Sequence, residues 1–97
     1  MATLSRDAAE GIAIQALGFI AADATLLGRF LDLTGISAAE IRSAAGEPGF
    51  AAGVLQFICA HEPTLIAFSE ASGVAPAAVM AAKQALPGGE EEYQRAP

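Results

Sequence analysis

Apolar positions recur along this chain at spacings of three and four, and no stretch sustains a two-residue alternation, so the pattern predicts helices and no sheet. Ala9, Ile12, Ala13, Ala16, Leu17, Phe19 and Ile20 fall on one face of a first helix, about Ser5 to Ala22. Ser5 supplies its N-cap and Asp7 a favourable charge in the first turn. Asp23 caps a second helix, in which Leu26, Leu27, Phe30, Leu31 and Leu33 face inward while Arg29 and Asp32 face out. Gly35 stops it, because glycine enters the left-handed conformation at no steric cost. Ser37 and Glu40 have the spacing of a capping box, opening a short third helix that carries Ile41 and fades at Gly46.

Glu47-Pro48, Glu62-Pro63 and Ala75-Pro76 read as three further helix starts, with proline in a first turn where its missing N–H does no harm. The fifth helix turns Leu65, Ile66 and Phe68 inward and ends at Gly73; the sixth carries Val79, Met80, Ala82 and Leu86. Between them and the first half lies Phe50 to Ala60, where Gln56 is the one sizeable polar side chain. A helix apolar on every face has to be enclosed by others. At eleven residues this stretch is too short for a bilayer, which needs about 20. It is the predicted buried centre of a small soluble bundle.

The chain also matches itself when displaced by 38 residues. Gly11 meets Gly49, Leu17 meets Leu55, Phe19 meets Phe57, Ile20 meets Ile58, Leu27 meets Leu65, Phe30 meets Phe68 and Gly35 meets Gly73, with Thr34/Ser72 and Ile41/Val79 as close replacements. An Ala-rich composition does not account for the shared Phe and Gly. The expectation is an all-α bundle of six short helices in two stacked three-helix repeats, 9–46 and 47–84, neither able to bury its apolar face alone. Residues 1–88 form one domain; Pro87-Gly88-Gly89 closes it, and 89–97 is expected to be an unstructured acidic tail.

Composition narrows the function classes. The net charge of −6, of which the tail supplies −2, repels phosphate backbones. A single cysteine, Cys59, leaves no partner for an internal disulfide and fits a reducing compartment. The first apolar run follows Arg6, Asp7 and Glu10, a lead-in unlike a secretory signal, so the expected location is the cytoplasm. Hydrophobic residues make up 54% of the chain, more than a core of this size hides, and a partner or a second copy is the expected cover.

Candidate chemistry is sparse. Cys59 and His61 could act as nucleophile and base, but Cys59 lies in the most apolar helix, where cysteine is inert, and His61 is placed to serve that helix's C-terminal end. One His and one Cys do not make a zinc site. The carboxylates sit at helix starts or on solvated faces, where capping and solubility explain them. Arg29 stands alone on the outer side of its helix, three residues from Asp32, able to pair with it or to meet a partner's anion. Phe30 to Ala45 has the outline of a helix-turn-helix, repeated at Phe68 to Ala82, yet the reading positions hold Ala38, Ala39 and Glu40 in one copy and Pro76, Ala77 and Ala78 in the other. No catalytic residue, cofactor, metal or small molecule is assigned.

Leu4-Ser-Arg-Asp-Ala-Ala-Glu10, Ala16-Leu-Gly-Phe-Ile-Ala-Ala-Asp23 and Leu27-Gly-Arg-Phe-Leu-Asp-Leu-Thr-Gly35, with Phe50 through Phe57 and the junction at Glu62, resemble the domain of unknown function 3572 family, small alphaproteobacterial proteins. The resemblance runs over about 4–86 and implies a small all-helical cytoplasmic protein; it supplies no activity or site residue. The leading expectation is a non-enzymatic protein–protein interaction module that binds a partner helix in an apolar groove. The alternatives are a helix-turn-helix-like DNA-binding regulator on Phe30 to Ala45 and a small enzyme using Cys59 and His61.

Overall fold

A computed structural model of the chain describes residues 4–47 and 49–87. The described residues form six α-helices and no strand: α1 (Arg6–Ala21), α2 (Ala24–Thr34), α3 (Ile41–Ala44), α4 (Phe50–Cys59), α5 (Glu62–Ser72) and α6 (Pro76–Ala85), with a 3-10 turn, Ala38–Glu40, leading into α3. The expected all-α bundle is therefore the observed fold. The expected acidic tail, 89–97, lies outside the described residues.

Local chemistry sets most of the boundaries. Ser5 Oγ accepts from the Ala8 N–H at 3.1 Å, and Asp23 Oδ1 accepts from the Thr25 and Leu26 N–H groups at 2.9 and 3.1 Å. Each satisfies donors that the first turn of a helix leaves free. Ser37 donates its N–H to Glu40 Oε1 at 3.0 Å, so the capping box forms, though on a 3-10 turn followed by a single α-helical turn. Gly35 and Gly73 end α2 and α5 at φ 74° and 80°, the left-handed region that costs other residues about 1–2 kcal/mol. One expected start is displaced. α4 begins at Phe50 behind Gly49, an N-cap at φ 88°, so the start signal read at Glu47-Pro48 comes ahead of the helix; Pro48 itself lies outside the described residues.

The core is built on α1, α4 and α6, which pack against one another, with α5 laid across α4 and α6 and α2 against α1. Ala9, Ala13, Ala16 and Ile20 make the buried stripe of α1 at spacings of four, three and four. Val79, Ala82 and Leu86 close the core from α6. α4 is its centre: Ala52, Val54, Leu55, Phe57 and Ile58 are buried and none of its ten residues is exposed. This is the enclosure that a helix without a polar face requires.

Two inward assignments, Leu33 and Ile66, fail, and Met80 of the sixth helix is exposed as well. Leu33 is 73% exposed, Met80 46% and Ile66 42%. Ile66 lies about 160° around α5 from Phe68 at 3.6 residues per turn, and so points away from the core. Met80 lies about 100° from Val79 on the same geometry, at the edge of the buried face. Leu33 does share the Phe30 side of α2, but it lies in the last turn, beyond the buried Phe30, and the 3-10 turn and α3 that follow bury no residue.

The 38-residue offset recurs in local geometry. α2 and α5 have equal length, with boundaries displaced by that offset. The turn between α1 and α2 is 114° and that between α4 and α5 is 108°. Thr34 Oγ1 donates to the Phe30 carbonyl at 2.8 Å, and Ser72 Oγ to the Phe68 carbonyl at 2.7 Å. Each hydroxyl accepts in turn from the N–H two residues on, Ile36 at 3.4 Å and Val74 at 3.1 Å. The aromatic contacts are exchanged between halves. Phe19 of α1 meets Phe68 of α5 edge-on at 5.5 Å, and Phe57 of α4 meets Phe30 of α2 edge-on at 5.4 Å. Such pairs add about 0.5–1.5 kcal/mol beyond the area they bury.

Candidate functional site

An open cleft of about 380 Å³ lies between the first turns of α1 and the start of α4. Ala13 and Leu17 of α1, Val54 and Phe50 of α4, and Leu86 at the end of α6 form its apolar lining. Ile14, 71% exposed, stands at its edge, and Ala45, Gly46 and Glu47 of the α3–α4 connection line it as well. The charged members are Arg6, Glu10 and Glu47. Arg6 Nε lies 3.3 Å from Glu10 Oε2 one helical turn on, the one ion pair among the described residues. Both side chains are well solvated, so the pair contributes about 0.3–0.5 kcal/mol. Its effect on the cleft is to engage the one guanidinium among the described lining residues, and Glu47 forms no ion pair with any described residue.

The origin of the cleft is legible after the fact. α1 starts at Arg6, whereas the positions 38 residues later, 44–49, are the end of α3 and the connection to α4. A proline at 48 in the sequence disfavours the helical region at the residue before it, and Gly49 takes a positive φ; α4 lacks the first turns that α1 has. The cleft lies beside that missing length. Sequence reasoning anticipated an apolar groove but assigned no residue to it. The available signal was the mismatch between the Arg6–Gly11 helical start and its Pro-Gly counterpart.

The Cys59–His61 pair is not assembled into a catalytic arrangement. Cys59 is half-buried at the end of α4. Burial pushes its thiol above the usual value, and Lys83 pulls it only partly back. It is therefore protonated at neutral pH, the unreactive form. His61 serves the start of α5 and not, as expected from its position, the end of α4. Its carbonyl accepts from the Thr64 and Leu65 N–H groups at 2.9 and 3.0 Å. Its Nδ1 lies 2.8 Å from the buried Thr64 hydroxyl, in a hydrogen bond whose direction follows the ring tautomer.

Arg29 does not pair with Asp32. Its guanidinium carbon sits 5.9 Å from the centroid of the Phe57 ring, a cation–π contact worth about 0.5–1 kcal/mol at an exposed site. In the Phe30 to Ala45 stretch, the element in the place of a reading helix is the 3-10 turn and the four-residue α3, with Ala38, Ala39 and Glu40 exposed. Its counterpart α6 is spent on the core through Val79 and Ala82. Among the described residues no three His, Cys, Asp or Glu side chains come together as metal ligands, and no single helix is long and apolar enough to cross a membrane.

The family model described as "Protein of unknown function (DUF3572)" matches residues 6–89, from the first residue of α1 to just beyond α6. The chain belongs to this family. The DUF3572 match spans all six helices and the cleft, so the bundle is the DUF3572 fold as this chain builds it. Neither the curated proteins nor the solved structures compared with it give a match.

Proposed function

We propose that this DUF3572 domain is a non-enzymatic protein-interaction module whose cleft receives the apolar face of a partner helix. The observation that carries the reading is the cleft itself: an opening of about 380 Å³, floored by Ala13, Leu17, Val54 and Leu86, with Ile14 left 71% exposed at its edge. A large aliphatic side chain held in water at the rim of an apolar concavity gains by burial, about 1.5–3 kcal/mol when fully covered. The floor is offered by helices already fixed in the core, so little ordering cost accompanies binding. The raised Cys59 thiol and the Thr64-bonded His61 support the non-enzymatic part of the reading. The single cysteine supports a reducing, cytoplasmic setting.

The test is a titration of the isotope-labelled domain with an amphipathic helical peptide presenting leucines on one face, followed by amide and methyl resonances. Shifts confined to Ile14, Leu17, Phe50, Val54 and Leu86, abolished by Ile14→Glu, are the expected result. Saturable binding that maps to another face overturns it.

A further inference from the structure

We infer that the partner helix which fills this cleft is basic. The inference rests on the reading of the cleft as a docking site and adds the charge of the occupant. Three occupants are sterically open to an apolar cleft of this kind: a second copy of the chain, the chain's own segment beyond Pro87, or another protein. Charge separates them. A second copy carries a net charge of −6 against another −6. The segment beyond Pro87 carries Glu90, Glu91 and Glu92 against Arg95 alone, and would bring them to a rim that already holds Glu10 and Glu47. The single cation among the described lining residues, Arg6, is engaged by Glu10 at 3.3 Å. Like charges brought together at an interface lower affinity and slow encounter, whereas complementary potentials raise both. A helix with aliphatic residues toward Leu17, Val54 and Leu86, and a lysine or arginine one turn away toward Glu47, satisfies the apolar floor and the Glu47 carboxylate together. The domain's net negative charge then steers that helix in from a distance, over a range set by ionic strength.

Two peptides with one apolar face and opposite polar faces, one lysine-rich and one glutamate-rich, test this against the full chain at low salt. The basic peptide is expected to bind about tenfold tighter, with the advantage shrinking as salt is added. Glu47→Lys, an exposed substitution, is expected to remove most of the advantage while Ile14→Glu weakens both peptides. Equal affinities, or tighter binding of the acidic peptide, overturn the charge inference and leave the docking reading standing. Absence of any cleft shift with either peptide overturns the docking reading. Concentration-dependent dimerisation that masks Ile14, or Ile14, Leu17 and Val54 resonances that move when 88–97 is deleted, would assign the cleft to one of the two acidic occupants and overturn the inference.

Discussion

The two halves of this domain start from similar local chemistry and end in different roles. α2 and α5 share length, a left-handed glycine stop and a hydroxyl that bonds back to the phenylalanine carbonyl four residues earlier. The elements that follow diverge. After Gly73 comes α6, ten residues that bury Val79 and Ala82 against α1 and α4. After Gly35 come a 3-10 turn and four residues of α3 that bury nothing. The starts of the halves diverge as well, since α1 has turns that α4 lacks, and the cleft lies there. A local code reproduces a turn wherever it is written. Whether the next helix joins the core depends on which surface is already waiting for it.

That comparison can be tested where it claims likeness and where it claims difference. The largest effects belong to the exchanged phenylalanines. Phe30→Ala and Phe68→Ala are each expected to cost about 3–5 kcal/mol in urea unfolding, and a gap of more than about 2 between them would break the likeness. Next comes the divergent pair. Val79→Ala is expected to cost about 2 kcal/mol and Ile41→Ala under about 1, although isoleucine loses more atoms, because Val79 is fully buried in the core and Ile41 is not. Equal losses would place α3 in the core and refute the contrast.

Smaller effects fall on the turns. Gly35→Ala and Gly73→Ala should each lower stability by about 1 kcal/mol. A Cβ at either site would meet nothing within 4 Å, so the positive φ is the sole cost and the two losses should agree. The smallest effect distinguishes the halves by pH. The backbone N–H and then the hydroxyl of Ser37 hold the Glu40 carboxyl below the usual glutamate range, whereas the positions 38 residues later are Ala75 and Ala78. A lowered carboxylate contributes stability that is present above its unfolded value, near 4.3, and lost as pH falls through the folded one. The Ser37 amide resonance should therefore move with a midpoint below about 4.3, and Glu40→Gln should remove that step. A midpoint at or above the ordinary value would show that the capping box does not hold in solution.

The legible part of this fold was local. Ser5, Asp23, Ser37 with Glu40, Gly35 and Gly73 act within a few residues of themselves, so their effects could be read without knowing any neighbour. The enclosure of α4 was also legible, because a face with no polar group admits one outcome. Leu33 was not, since its exposure depends on which other elements reach the last turn of α2. Arg29 was not, because its partner is the Phe57 ring on another helix and not the Asp32 three residues away. The cleft belongs to the same class: Ile14, Phe50 and Leu86 come from three helices far apart in the chain.

Capping, glycine stops and the hydrophobic stripe decided that there would be helices, where most of them would end, and that one of them would be shut away from water. These are interactions among neighbours in the chain, and they act before any helix meets another. Which apolar residues stayed wet, which cation found a ring, and where the concavity opened were decided when the helices closed on one another. Packing fills space with whole helices of fixed length, and a helix that begins late leaves a gap that no local rule records.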